Sequence, residues 1–164
     1  MTIKVASYNI RKAIGLDRKR SPERTLEVLR ELDADVIALQ EADRRFGGRA
    51  AAIPLGMLED YSPYKAVALD MRPDSIGWHG NAILVKKEVV VDHCEPVYLP
   101  TLEPRGAVLA ELSINGTPVR VVGMHLDLSG LWRRRQVKAL LNHLAATGRP
   151  MPTILLGDLN EWTH

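Results

Sequence analysis

Five polar residues of types that bind metal ions and phosphate follow apolar segments of the sequence. They are, in chain order, Asn9, Glu41, His125, Asp158 and Asn160. Each stands where a buried strand would run into a loop, and parallel strands place their carboxyl ends at one edge of a sheet, where ligands bind. The five side chains are therefore expected to converge on one site. Mg²⁺ prefers oxygen ligands and is typically held by one or two carboxylates together with a substrate phosphate.

Each of these residues has a chemical role that suits its side chain. Glu41 can give the metal ion a carboxylate, and Asn9 an amide oxygen. Asp158 can orient or deprotonate a water molecule, Asn160 can hold a phosphate oxygen, and His125 can donate to developing charge. Each also has a simpler interpretation, as a solvated acid, a turn residue, a turn cap or a half-buried strand residue. Their common position at strand ends favours the chemical interpretation.

Two strand–helix–strand units are predicted to position these residues. In the first, residues 3–10 and 36–39 are apolar and β-branched enough to form strands. Ser21 followed by Pro22 predicts the start of the helix between them. Strands connected in this way lie parallel, so their carboxyl ends meet at one edge.

The second unit closes the chain. A helix is expected after Ser129, and a buried strand at residues 153–156. The helical spacing i, i+3, i+4, i+7 is met by Val137, Leu140, Leu141 and Leu144, and the helix is stopped by Gly148 and Pro150. The strand before this helix belongs to a hairpin, because residues 107–114 and 118–124 flank Asn115-Gly116, a strong hairpin signal.

The middle of the sequence is less regular. One short helix is expected within residues 47–58. Strands are expected at residues 64–69, 81–85 and 89–91, and the last two are predicted to pair with each other.

The composition describes one ordinary globular domain, residues 1–164. Hydrophobic residues make up 46% and charged residues 26%, which excludes a disordered or collagen-like chain. Cys94 is the single cysteine, so no internal disulfide can form. The sequence has no apolar run of about 18 residues that could span a membrane. The first residues enter a strand pattern at once, so no signal peptide is expected and a cytoplasmic location is predicted.

Five short motifs appear in a fixed order along the chain. They are Ser-Tyr-Asn-Ile-Arg at 7–11, Leu-Gln-Glu at 39–41, His-Gly-Asn-Ala-Ile-Leu at 79–84, Met-His-Leu-Asp at 124–127 and Gly-Asp-Leu-Asn at 157–160. In this order they resemble the endonuclease/exonuclease/phosphatase superfamily, which includes DNase I, abasic-site endonucleases, sphingomyelinases and inositol-polyphosphate 5-phosphatases. The resemblance runs from Val5 to Trp162. It implies a four-layer α/β sandwich that hydrolyses phosphate esters with Mg²⁺, or Mn²⁺ as an alternative.

The resemblance also implies residue roles. Asn9 and Glu41 would lie near the metal ion. Asp158 and Asn160 would act on the attacking water and the phosphate, and His125 would stabilise the transition state.

The sequence departs from the family pattern after Asn160. Members of the family end with a Ser-Asp-His motif on a last strand, whereas this sequence stops at Glu161-Trp162-Thr163-His164. His164 does not match that histidine, because no strand separates it from the preceding motif. We therefore expect a domain that is incomplete at its C-terminus and lacks the last strands of the sandwich. An exposed sheet edge of this kind would favour self-association.

Several basic and polar residues are candidates for phosphate binding. They are Arg11, Asn81, Arg105 and Arg133. Further cations stand in the loop after the first strand, at Lys12 and 18–20, and in the first turn of the last helix, at 133–135. The alternative is a solubilising surface, and for Asn81 a structural role in the turn that Gly80 permits.

The sequence therefore predicts a Mg²⁺-dependent phosphodiesterase that acts on nucleic acid, or on a phospholipid headgroup or inositol phosphate. The alternative is a non-catalytic remnant or interaction module on the same scaffold. The missing final motif favours this alternative, whereas the five intact motifs disfavour it. Asp127 is expected either to orient His125 or to have no role. His93 and His143 are interpreted as surface or core residues. Cys94 is not expected to be a nucleophile, because no Cys-His arrangement is evident in the sequence.

Overall fold

The computed structural model describes residues 2–42, 53–67, 80–100 and 106–160. Its elements, in chain order, are β1 (Val5–Asn9), α1 (Pro22–Leu32), β2 (Val36–Gln40), α2 (Leu55–Tyr61), β3 (Tyr64–Ala66), β4 (Ala82–Lys86), β5 (Val90–Tyr98), β6 (Gly106–Ile114), β7 (Thr117–His125), α3 (Gly130–Ala146) and β8 (Thr153–Asp158). A short 3₁₀ turn, Arg11–Ala13, follows β1. Arg105 and parts of the predicted 47–58 and 64–69 segments lie outside the described residues.

The first sheet has the strand order β1-β2-β4-β3. β1 and β2 are parallel, as predicted for strands joined by a helix, with Asn9 opposite Gln40. Ser21 caps α1, because its side chain accepts a hydrogen bond from the main-chain N–H of Arg24, and Pro22 opens the helix. The first strand–helix–strand unit is thus confirmed. Its two strands end at the same edge, with Asn9 and Glu41 at their carboxyl ends.

The second sheet has the strand order β5-β6-β7-β8. β6 and β7 form the predicted hairpin, in which Asn115 and Gly116 both have positive φ, at 50° and 79°. These angles are those of the tight turn that the Asn-Gly pair favours. α3 then returns the chain so that β8 pairs parallel to β7, with His125 opposite Asp158.

The predicted pairing of residues 81–85 with 89–91 is wrong. β4 lies in the first sheet, where β2 and β3 occupy both of its edges. Since neither edge of β4 is open, the chain crosses over and β5 pairs with β6 in the second sheet. β5 also continues to Tyr98, well beyond the predicted segment.

The elements stack in four layers, helix–sheet–sheet–helix, which confirms the predicted class of fold. One apolar cluster joins α1 and α2 to the outer face of the first sheet, with Leu29 and Leu58 at its centre. A second lies between the two sheets and includes Val36, Val85 and Val121. A third packs Leu140 of α3 on the outer face of the second sheet.

α3 confirms the predicted helix but buries a different face. Gln136 and Leu140 are its buried residues, whereas Val137 and Leu141 of the apolar pattern are exposed. Ser129 is the N-cap residue, although its side chain makes no cap hydrogen bond. Among the described residues, the helices are too short or too polar to cross a membrane.

Candidate active site

The carboxyl ends of β1 and β8 meet where the edges of the two sheets contact each other. There the Asn9 Nδ2 group donates a hydrogen bond of 3.2 Å to Oδ2 of Asp158, 149 positions away in sequence. Oδ1 of Asn9 accepts a hydrogen bond of 3.0 Å from the main-chain N–H of Arg11. The amide of Asn9 is therefore fixed on both sides, between the turn that follows β1 and the carboxylate at the end of β8.

Asp158 is the centre of this cluster. Its Oδ1 atom accepts a hydrogen bond of 3.1 Å from the main-chain N–H of Asn160. Its Oδ2 atom lies 3.5 Å from Nε2 of His125 on the neighbouring strand. His125 is itself buried. A carboxylate held by two hydrogen-bond donors and facing an imidazole can orient a water molecule and accept its proton.

Asn160 connects β8 to the segment that follows β7. Its Nδ2 group donates a hydrogen bond of 2.6 Å to the carbonyl oxygen of Leu126. The N–H of Leu126 in turn donates to the carbonyl oxygen of Asp158, at 2.9 Å. These bonds fix the main chain on both sides of the contact between His125 and Asp158. Four of the five strand-end residues thus lie together.

A cleft of about 500 Å³ opens at this cluster. The residues that line it are Ser7, Asn9, Gln40, Gly157, Asp158, Leu159 and Asn160. The sequence reasoning did not select Ser7 or Gln40. Their side chains contact each other, with Nε2 of Gln40 3.3 Å from Oγ of Ser7. The strand period could have indicated Ser7, since it lies two residues before Asn9 and therefore on the same face of β1.

Glu41 lies beside this cleft but is not among its lining residues. Its Oε1 atom is 3.7 Å from Nζ of Lys12, and the N–H of Lys12 donates to its main-chain oxygen at 2.9 Å. A third of the Glu41 side chain is exposed, so an ion could reach it from solvent. Glu41 and Asn9 therefore carry oxygen atoms of the kind that suits Mg²⁺. No group of three or more His, Cys, Asp or Glu side chains with metal-binding geometry occurs in the described residues.

The predicted phosphate-binding residues have different surroundings. Arg11 is exposed and has a φ of 50° in the turn after β1. Asn81 is completely buried, and its Nδ2 group donates to the carbonyl oxygen of Gly106 at 2.9 Å, in line with the structural alternative. Arg133 donates from one guanidinium nitrogen to the carbonyl oxygens of Leu128 and Asp127, at 2.6 and 3.4 Å.

Two other sequence interpretations can be compared with the structure. Asp127, considered as a partner of His125, accepts a hydrogen bond of 3.1 Å from the N–H of Ser129 through its Oδ1 atom. His93 and His143 both contact the carboxylate of Glu95, at 3.4 and 2.7 Å, on the outer face of the second sheet.

Solved structures share this architecture. A truncated TDP2 of Caenorhabditis elegans matches with a TM-score of 0.72 and 21% identity, covering 98% of this chain and 63% of that chain. TDP2 of D. rerio, solved in complex with a single-strand DNA product, matches with a TM-score of 0.72 and 19% identity, covering 98% and 62%. A mannosyl-6-phosphatase of Bacteroides thetaiotaomicron matches with a TM-score of 0.71 and 19% identity, covering 97% and 66%.

This chain thus spans less than two thirds of the length of either TDP2 structure. The comparison with curated proteins gave no match. The model of the Endonuclease/Exonuclease/phosphatase family, in contrast, matches residues 6–164. That match includes both strand–helix–strand units and all of the residues around the cleft. The chain therefore belongs to the Endonuclease/Exonuclease/phosphatase family.

Proposed function

We propose that this chain is a metal-dependent phosphoesterase that cleaves phosphodiesters by attack of water on phosphorus. The observation that carries the proposal is the cluster of Asn9, His125 and Asp158, which joins the ends of three strands from two sheets. Asn9 and Asp158 line the cleft, and His125 contacts Asp158 beside it. Family membership supports a phosphoester hydrolase in general. Two structural neighbours support phosphate-ester substrates, since one is bound to a DNA product and another is named a sugar phosphatase.

The residues at the cleft would divide the reaction between them. Asp158, held by Asn9 and by the N–H of Asn160, would orient the attacking water and accept its proton. His125 would donate a hydrogen bond to the charge that develops on the phosphoryl group. The Nδ2 group of Asn160 has a second hydrogen besides the one given to Leu126, and this hydrogen would hold a phosphate oxygen.

Glu41 and Asn9 would hold the divalent cation, for which we propose Mg²⁺ with Mn²⁺ as an alternative. Bound there, the cation would neutralise charge on the phosphoryl group or the leaving oxygen. Lys12 and Arg11, in the turn after β1, would add positive charge beside this position.

The substrate would be a nucleic acid or a phospholipid headgroup or inositol phosphate, since all of these present a phosphate ester to the same residues. Arg11, Arg133 and Arg105, of which Arg105 lies outside the described residues, stay predictions as phosphate-binding residues. Self-association also stays a prediction. It would use β8, which is the last strand on one side of the second sheet in the described part of the chain.

The test is hydrolysis of bis-p-nitrophenyl phosphate by the full chain with MgCl₂, with EDTA added in a parallel reaction. The substitutions Asp158→Ala and Glu41→Ala are expected to lower turnover at least about 100-fold, because each removes a group that acts at the reacting phosphate. The far-ultraviolet circular dichroism spectrum should stay unchanged. Asp17→Ala is the matched control, because Asp17 is an exposed carboxylate that pairs with Arg24 and does not line the cleft.

Three results would contradict the proposal. If either variant turns over substrate as fast as the unsubstituted chain, the substituted residue has no part in the reaction. If EDTA leaves the rate of hydrolysis unchanged, the reaction does not depend on a divalent cation. A chain that folds but hydrolyses no phosphate ester would support the alternative of a non-catalytic module.

A further inference from the structure

The chain passes from β7 into α3 through residues 126–129, which we call the β7–α3 turn. This turn begins directly after His125, so it helps to fix the end of β7 that carries the imidazole, together with the pairing of His125 with Asp158 of β8. It is held at its start by β8, through the hydrogen bonds that join Leu126 to Asp158 and Asn160. The rest of the turn is held by α3.

The contact from α3 comes from a residue that is unusual for its place. Gln136 is completely buried in the helix, and its Oε1 atom accepts a hydrogen bond of 2.9 Å from the main-chain N–H of Asp127. Nε2 of Gln136 and Oδ2 of Asp127 are buried side-chain atoms that have no hydrogen-bond partner in the described part of the chain. A buried polar atom without a partner destabilises the folded state, because it has lost its hydrogen bonds to water. Stability alone would therefore favour an apolar residue at position 136.

Further hydrogen bonds from Asp127 and Arg133 hold the rest of the β7–α3 turn. Asp127, whose N–H is held by Gln136, closes the turn by accepting the N–H of Ser129 through Oδ1. Arg133, one turn earlier on the same helix, holds the carbonyl oxygen of Leu128. The main chain next to His125 is thus fastened at Leu126 from β8 and at Asp127 and Leu128 from α3.

We propose that Gln136 is a positioning residue for His125. Gln136 lies on α3 and accepts the N–H of Asp127. This hydrogen bond keeps the end of β7 in the position in which the imidazole of His125 faces Asp158. This inference depends on the proposed function only for the use that is made of His125. The geometric part, that Gln136 sets the place of the imidazole, can be tested independently of activity.

The test compares Gln136→Met with Leu140→Ala in the full chain. Met has nearly the volume of Gln but cannot accept the hydrogen bond. Leu140→Ala weakens the packing of α3 on the apolar cluster that includes Leu126, but it keeps the hydrogen bond between Gln136 and Asp127. We expect Gln136→Met to lower kcat for bis-p-nitrophenyl phosphate at least 10-fold with KM changed less than twofold. We also expect it to shift the NMR signals of the His125 ring and to remove hydrogen-exchange protection from the amide of Asp127. Leu140→Ala should lower the melting temperature and leave kcat and the His125 signals in place.

Gln136→Asn is the second variant, in case Gln136→Met does not fold. It keeps the amide but withdraws the oxygen by one methylene, so the His125 signals should shift in the same direction by less. Unchanged His125 signals in either folded variant would overturn the proposal, as would an equal loss of kcat in Leu140→Ala. A wild-type chain without hydrolysis would refute the proposed function, and the NMR comparison would still decide the positioning role.

Discussion

Residues in left-handed backbone conformation gather at the candidate site. Arg11, Lys12 and Ala13, directly after β1, have φ of 50°, 58° and 62°, while Glu41 has 53° and Asn160 has 47°. An L-residue in this region costs roughly 1–2 kcal/mol, and such strain persists only where surrounding contacts hold it. Here the N–H of Lys12 donates to the carbonyl oxygen of Glu41. The tertiary structure therefore imposes the conformation of the chain at three strand ends, against local preference.

Gly157 has no room for a side chain, and Gly157→Ala should both destabilise and inactivate the protein. Its φ is 151°, and an added Cβ would overlap the carbonyl oxygen of Met124 on the adjacent strand. Because that atom is main chain in the β7–β8 ladder, it cannot move without breaking the pairing beside Asp158. We expect the free energy of unfolding to fall by about 2–4 kcal/mol and activity to be lost. Urea denaturation and hydrolysis of bis-p-nitrophenyl phosphate measure the two effects.

Gly116→Ala is the control for this substitution. Gly116 also has a positive φ, of 79°, but a Cβ there would meet nothing within 4 Å. The free energy of unfolding of Gly116→Ala should therefore fall by only about 1 kcal/mol, which is the cost of the left-handed conformation itself. Equal losses in the two variants would contradict the steric explanation.

Residue types at strand ends were sufficient to predict which side chains meet. His125, Asp158 and Asn160 do so because β7 and β8 are parallel neighbours, and Asn9 joins them because the edges of the two sheets contact each other at β1 and β8. Gln136 could not have been found in this way. Its partner is a main-chain N–H nine positions earlier, and only the packing of α3 brings the two atoms together. The roles of all these residues stay predictions.

Among the elements, those with a strong local signal were predicted and those set by long-range contacts were not. The Asn-Gly turn and the Ser-Pro helix start are encoded within a few residues. β5 was largely missed because Asp92, His93 and Glu95 interrupt its apolar pattern. The structure gives all three a partner. Glu95 binds His143 of α3 as well as His93, and Asp92 accepts a hydrogen bond from Ser113 of β6. The partners of a strand are likewise a property of the whole sheet, which is why β4 and β5 were paired wrongly.

An ion cluster holds the C-terminal end of α3 to the second sheet. Glu111 of β6 is buried and its carboxylate lies 2.7 Å from Arg149, which follows α3, and 3.7 Å from the buried Arg120 of β7. The hydrogen bond from Arg149 lowers the pKa of Glu111 below its ordinary value of 4.5, although burial opposes the shift. Since the unfolded chain then binds a proton more readily, this carboxylate stabilises the fold above pH 4.5. The contribution is lost as the pH falls through the lower pKa of the folded state.

Glu111→Gln should therefore destabilise the protein in a pH-dependent way. At pH 7 we expect the free energy of unfolding to fall by about 2–3 kcal/mol, because Arg120 is left buried without its carboxylate. The loss is smaller than for a fully buried pair because Arg149 is half exposed. The difference from the wild type should shrink as the pH is lowered below 4.5, which urea denaturation at a series of pH values measures. Glu27→Gln, at an exposed position of α1, should show no such trend, and a pH-independent difference at Glu111 would contradict the assignment.

Across the whole molecule, charge is distributed unevenly. The net charge is only +2, yet residues 128–157 contain five Arg and Lys residues and no Asp or Glu. Four of these cations are on α3, which begins beside His125. Within its first turns the guanidinium of Arg135 lies 5.0 Å from the centre of the Trp132 ring. These cations are therefore expected to add positive potential next to the candidate active site, where it would attract polyanions.

Reversing the charge of cations on α3 should then weaken the binding of polyanionic substrates more than that of small ones. In Arg134→Glu/Lys138→Glu we expect KM for an oligonucleotide, or for anionic phospholipid vesicles, to rise at least 10-fold at low salt and to depend less on salt concentration. The value of kcat/KM for bis-p-nitrophenyl phosphate, a small monoanion, should change less than twofold. The matched control is Lys4→Glu/Lys65→Glu, since Lys4 precedes β1 at the end of that strand opposite the cleft and Lys65 lies in β3, at the far edge of the first sheet from β1. If KM rises for only one of the two polyanions, the oligonucleotide or the phospholipid vesicles, that polyanion identifies the class of substrate. An equal loss with bis-p-nitrophenyl phosphate, or an equal effect of the control, would show that α3 does not guide substrate through its charge.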